Sequence, residues 1–187
     1  MTEPEAEQVR LAQDGDQSAF AALVRRYQGM VYNLAFSHLG EAEAAADAAQ
    51  ETFLRAWRGL PSFAGASSFS TWLYTIAYRT SLTMAARHKP TVPLAEVPEP
   101  EAGEEADPEA AVLRRHETES LRGAIEKLPA PMRTALVLYH FHHCSYEEIA
   151  AVTGEPIGTV RTRLHRGRAR LRALLTGEGR ETECVAK

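Results

Sequence analysis

The stretch EPIGTVRTRLHRGRARLRALL, residues 155–175, places six arginines and no carboxylate between Arg161 and Arg172, in a chain of 187 residues with a formal net charge of −4. Its apolar positions Ile157, Val160, Leu164, Leu171, Leu174 and Leu175 fall on one side of a helical wheel, so the segment predicts an amphipathic rod anchored by that flank. The far side presents Gly158, Thr159, Thr162, His165 and Arg166, bordered by Arg161 and Arg163. Just upstream, Ser145 with Glu148 three residues on makes a capping box, so a helix begins at SYEEIAAVTG (145–154) and stops at Gly154. Pro156 opens the next one. A short helix, a glycine-bearing turn and a basic helix predict a helix-turn-helix, whose second helix suits a DNA major groove.

The residue types on that face match the chemistry of a duplex. Arginine pairs with the major-groove edge of guanine, and threonine meets a thymine methyl or a phosphate. Gly158 lets the backbone approach the sugar-phosphate wall, and the helix N-terminus favours a phosphate. Arg168, Arg170 and Arg172 extend the positive field along the duplex. The plainer reading is a solvated cationic face with no ligand. Against it stands the coincidence of turn, anchored back face and an acid-free run.

Working outward, LPAPMRTALVLYHF (128–141) predicts another helix, opened by prolines that only a first turn tolerates, and a further helix runs from about residue 108 to 127. Residues 91–108, TVPLAEVPEPEAGEEADP, hold six carboxylates, four prolines and no basic group, a composition that neither sustains a helix nor folds by burial. Residues 90–108 are therefore read as an acidic, proline-rich flexible linker. Upstream, Phe20, Leu23, Val24, Tyr27, Val31, Leu34, Ala35 and Leu39 recur at helical spacing, with Gly40 as a stop. EAEAAADAAQETFLRAW (41–57) carries its acids early and arginines late, the order that suits a helix dipole. GLPSFAGASS (59–68) breaks the pattern, and FSTWLYTIAYRTSLTMAARHK (69–89) resumes it with a stripe of Phe69, Trp72, Leu73, Ile76, Ala77 and Thr80. Strand-like alternation is absent from this half. The fold class expected is all-α: a helical bundle over residues 10–89 and a helix-turn-helix domain over 109–176, joined by the linker.

Composition narrows the function classes. With 44% apolar and 25% charged residues the chain reads as an ordinary soluble protein. Its start, MTEPEAEQVRLAQDGDQ, lacks the basic and apolar regions of a signal peptide, and its apolar runs are far below the roughly 20 residues of a spanning helix. Two cysteines without CxxC pairing fit a reducing, cytoplasmic setting. His140, His142, His143 and Cys144 lie too close together to surround a tetrahedral ion, so no metal and no other cofactor is expected. Cys144 reads either as a redox-sensitive thiol or as a buried, inert one. No nucleophile–base pair or phosphate-binding glycine loop points to an enzyme.

The residues also carry a resemblance. LPAPMRTALVLYHFHHCSYEEIAAVTGEPIGTVRTRLHRGRARLRALL resembles region four of bacterial sigma factors of the extracytoplasmic-function (ECF) group in the sigma-70 family. DAAQETFLRAWRGLPSF (47–63) and FSTWLYTIA (69–77) are similar to region two of the same group, in the same order. The resemblance implies a factor that binds core RNA polymerase, recognises the −35 and −10 promoter elements and promotes melting of DNA. It implies contact of Asp47, Gln50, Glu51, Phe53, Leu54, Arg55 and Trp57 with a coiled coil of the β and β′ subunits; from their residue types, Phe53 and Trp57 read more readily as core.

The same resemblance assigns the −35 element to Gly158, Thr159, Arg161, Thr162, Arg163, His165, Arg166, Arg168 and Arg170. The −10 element falls to the loop at 59–68 and the helix after it. An unstacked base wants a turn-rich backbone, polar groups and an aromatic floor, which Ser62, Phe63, Ser67, Ser68 and Phe69 offer; Trp72, Tyr74, Tyr78 and Arg79 would flank the strand. Arg79 stands where many members carry asparagine. An anti-sigma partner is implied as well, and the acidic linker would run toward the RNA exit path. The rival readings are a stand-alone helix-turn-helix regulator and a helical adaptor whose basic helix docks an acidic protein.

Overall fold

The computed structural model describes residues 3–87, 120–121 and 123–176. The linker expected at 90–108, and the part of the following helix up to residue 119, lie outside the described residues; 120–121 and 123–126 are helical.

Seven helices are named here in chain order: α1 (Glu3–Gln13), α2 (Gln17–Leu39), α3 (Ala42–Gly59), α4 (Phe69–Arg87), α5 (Ala130–His140), α6 (Tyr146–Thr153) and α7 (Ile157–Thr176). Among the described residues there is no strand. Asp16 caps α2, its Oδ1 accepting from the Ser18 N–H at 2.8 Å and the Ala19 N–H at 3.2 Å. Gly40 ends α2 at φ 70°, a left-handed conformation that glycine adopts without Cβ strain. Leu60–Ser62 form a 3₁₀ turn with Pro61 inside it, which redirects the chain between α3 and α4.

The periodicity does not announce α1, because its buried apolar residues are only Val9 and Ala12, with Leu11 packed at the edge of the core, and its exposed face is dense in charge. It is tied down by polar groups. Gln13 Nε2 donates to the Leu60 and Phe63 carbonyls at 3.2 and 2.8 Å, and the Tyr27 hydroxyl donates to the buried Glu5 carboxylate.

α2, α3 and α4 pack on one another as a bundle, and α7 packs on α5 and α6. The two groups are also joined: α2 touches α5, and α4 touches α6. A single buried cluster runs from Leu23, Leu34, Phe69 and Leu73 to Leu138, Ile149, Val160 and Leu164, all at most 1% exposed. Burying such side chains contributes roughly 1.5–3 kcal/mol each.

The capping box at α6 is present in full. Ser145 Oγ accepts from the Glu148 N–H at 3.1 Å, Glu148 Oε2 accepts from the Ser145 N–H at 2.8 Å, and Gly154 closes the helix at φ 72°. Ser145→Ala removes half of that reciprocal cap and is expected to cost about 1 kcal/mol. The midpoint of urea unfolding checks this, and an unchanged midpoint contradicts it.

Candidate nucleic-acid interface

Along α7, Gly158, Arg161, Thr162, His165, Arg166 and Arg170 are exposed, and Thr159 is half-buried. The Thr162 hydroxyl donates to the Gly158 carbonyl at 2.9 Å. Two arginines of the run are committed elsewhere. Arg163 forms a partly buried ion pair with Glu155, and Arg168 lies 4.8 Å over the Tyr139 ring with its Nε 3.3 Å from His140 Nε2. Burial, and then the charge of Arg168, hold His140 below the ordinary imidazole range. Among the described residues, Arg161, Arg166, Arg170 and Arg172 are left as unpaired, exposed cations of the helix.

The flank that anchors α7 differs from the one read off the wheel. Val160 and Leu164 are buried and Leu171 and Leu174 pack against the core, but Ile157 and Leu175 are 39% and 46% exposed. These end residues outrun the support that α5 and α6 provide. In their place Gly167 is buried, and a Cβ there would stand 3.1 Å from Leu136 Cδ1. Its missing side chain lets α7 close on α5, which no count of apolar residues reveals.

In the loop before α4, the Ser62 hydroxyl donates to the Gly59 carbonyl at 2.7 Å, while Ser67 is exposed. Ser68 is spent on the start of α4: its Oγ accepts from the Thr71 N–H at 3.1 Å. Phe63 is half-buried, with its ring centroid 5.0 Å from that of Trp72 and 6.1 Å from that of Phe69. Phe69 and Tyr74, at 1% and 2% exposure, are core residues; Phe69 packs on Tyr27, and the Tyr74 hydroxyl points to Met30 Sδ at 2.8 Å. Tyr78 is half-buried against His38, and Arg79 is exposed. The face presented to solvent thus gathers Ser62, Phe63, Ser67, Trp72 and Arg79, with Phe69 behind it and Tyr74 turned toward the second helical group.

On α3, Asp47, Gln50, Leu54 and Arg55 are exposed, and Arg55 pairs with Glu51 at 2.6 Å. Phe53 and Trp57 are neither core nor surface. With Gln17, Phe20, Val24, Gln50 and Leu54 they line an open, mainly apolar groove of about 520 Å³ between α2 and α3. Leu54 stands on its rim at 52% exposure.

The HFHHC segment, residues 140–144, fans out. His140 and His143 are exposed, His142 turns inward onto Tyr74, and Cys144 is buried with its Sγ 3.8 Å from the His142 carbonyl. Among the described residues no three His, Cys, Asp or Glu side chains are grouped to hold a metal ion. Burial, with a smaller push from Glu148, raises the Cys144 thiol to about 12, so the thiolate needed for redox chemistry is suppressed. No helix of the described residues is long and apolar enough to cross a membrane.

Residues 23–91 match the model of Sigma-70 region 2, and residues 118–171 match that of Sigma-70, region 4. The chain is 39% identical to the RNA polymerase sigma-H factor of Pseudomonas aeruginosa, over 89% of this chain and 91% of that protein. It is 38% identical to the ECF RNA polymerase sigma factor SigW of Bacillus subtilis, over 89% and 94%. Among solved structures it is similar to CnrH in complex with the cytosolic domain of CnrY, with TM-score 0.68, 26% identity and coverage of 94% of this chain and 99% of that one. The sigma factor RpoE of Bartonella quintana, solved with the anti-sigma factor NepR, shares the fold at TM-score 0.69 and 24% identity, covering 84% and 96%. A capped α6, a glycine turn, an arginine-faced α7 and an upstream bundle in family order agree with these likenesses: the chain belongs to the ECF group of sigma-70 RNA polymerase sigma factors.

Proposed function

We propose that this sigma factor reads the −35 promoter element with the exposed face of α7, captures the −10 strand with the loop at 59–68 and the start of α4, and docks core polymerase on α3. The reading rests above all on one observation: Arg161, Arg166 and Arg170 stand unpaired on a helix whose opposite side is locked into the core. Such a face neutralises phosphates and meets base edges at little cost in ordering, because the backbone beneath it is already fixed.

Arg163 joins the −35 face only by leaving Glu155, and Arg168 supports it from above Tyr139. At the −10 element, Phe63 and Trp72 form the aromatic surface for an unstacked base, with Ser62, Ser67 and Arg79 around it. The groove on α3 takes an apolar knob of a coiled coil from the β and β′ subunits, while Asp47, Gln50, Glu51 and Arg55 fix its register. The protein acts by positioning other molecules and not by covalent catalysis, and it works in the cytoplasm, where polymerase and promoter are found. An anti-sigma partner belongs to the proposal, supported by the likeness to CnrH, solved with the cytosolic domain of CnrY.

The test is transcription in vitro: purified chain plus core polymerase initiates at a cognate promoter, and core alone does not. Absence of promoter-dependent transcripts sinks the reading. Within that assay, Arg161→Ala or Arg166→Ala is expected to cost about 1–3 kcal/mol at a single −35 position, whereas Arg170→Ala weakens binding evenly across sequences. Equal losses on every sequence for all three variants contradict the division of labour.

A further inference from the structure

The two helical groups meet along a seam centred on two histidines. At one end His38, on the last turn of α2, lies between Tyr78 of α4 and Thr134 of α5, with His38 Nε2 2.6 Å from Thr134 Oγ1 and the ring centroids of His38 and Tyr78 5.1 Å apart. At the other end His142, in the turn between α5 and α6, packs on Tyr74 of α4 at 5.0 Å between centroids. Neither ring nitrogen of His142 has a hydrogen-bond partner, and both are shut off from solvent. Beside them the Thr71 hydroxyl donates to Glu148 at 3.2 Å, so the carboxylate that caps α6 also receives a bond from α4.

We propose that this seam is a clasp that holds the two modules shut while His38 and His142 are neutral, and that protonation of the two rings opens it. The electrostatic surroundings fit that design. Around His142 stand Tyr74 from α4 and His143 and Cys144 from its own turn, with Glu148 of α6 acting on Cys144. Glu148 is occupied by Ser145 and Thr71, and His143 adds like charge. Around His38 the neighbours are Tyr78 from α4 and Arg133 from α5, and Arg133 repels a cation. Among the described residues, no carboxylate without a partner faces either imidazole.

Burial, with the smaller repulsions from Arg133 and His143, lowers both imidazoles from about 6.5 to about 4. A group depressed in the closed form favours that form fully above its open-state value. It withdraws that support as pH falls from about 6.5 toward 4. At pH 5.5 the open form gains roughly tenfold per histidine, or roughly a hundredfold for the pair. Opening uncovers Tyr74, Thr71 and Tyr78 on α4 and releases the surroundings of Glu155 and Arg163. The consequence for promoter capture rests on the function proposed above, but the clasp itself does not.

Small-angle X-ray scattering of the full chain at pH 7.5 and 5.5, with far-ultraviolet circular dichroism on the same samples, tests it. The expected result is a larger radius of gyration at pH 5.5 with helicity retained. The double variant His38→Gln, His142→Phe keeps the small radius at both pH values, and His143→Gln, on the exposed neighbour, responds like the parent. A radius that does not change, expansion that persists in the double variant, or expansion accompanied by loss of helix overturns the clasp. In the unaltered chain, the imidazole NMR signals of His38 and His142 must titrate together with the expansion; titration near 6.5 without expansion overturns it too. None of these readouts involves DNA or polymerase, so the clasp and the proposed promoter chemistry can fail independently.

Discussion

Leu54→Glu is expected to leave the melting temperature of the free chain unchanged and to weaken its hold on core polymerase by about 30-fold or more. Leu54 is 52% exposed on the rim of the groove shared with Phe20, Phe53 and Trp57, so it contributes little to the fold. At an interface the same side chain sits at the mouth of an apolar pocket, the setting in which a few residues carry 2 kcal/mol or more of binding energy. A carboxylate there must be desolvated on docking; Arg55 is held by Glu51 at 2.6 Å, and exposed Arg58, one turn on, offers only a surface ion pair worth about 0–1 kcal/mol, too little to offset that cost. Titration of labelled chain into core enzyme measures the loss. An affinity within threefold of the parent would move the docking surface away from this groove.

The second large effect is on stability. Leu164 is fully buried where α7 meets the common core, and Leu164→Ala is expected to cost about 2–5 kcal/mol. That is a sizeable share of the roughly 5–15 kcal/mol that holds an ordinary domain together. Because one buried cluster links Leu164 and Val160 to Phe69 and Leu73, the loss is felt in both helical groups. Denaturant unfolding followed at the tryptophans of α3 and α4, Trp57 and Trp72, should therefore shift to a lower midpoint although the substitution lies in α7. An unshifted tryptophan transition would mean that the two groups unfold independently.

Both expectations depend on how the halves are joined, and that marks the boundary of what could be read in advance. The capping box at Ser145 and Glu148, the glycine stops at 40 and 154, and the acid-free arginine face of α7 were legible because each is a local rule. A cap or a left-handed turn involves neighbours within four residues, so a linear string carries all the information needed. The all-helical class and the two groups in family order followed from the same periodicities and from the motifs at 47–63 and 145–172.

Other features required the chain to be folded. Whether Phe69 and Tyr74 stand on a surface or in a core depends on what packs over α4, and the covering residues, Tyr27 and His142, lie far away in the chain. Gly167 gained its role from the approach of Leu136, and Arg163 lost its freedom to Glu155 across the turn. The sequence by itself determined which segments are helices, where they stop and which helix face is cationic, since these are matters of periodicity and short-range hydrogen bonding. Only the tertiary structure decided which arginines remain free, which aromatics are withheld and that two half-buried histidines share one seam, since desolvation and pairing arise only when distant residues meet.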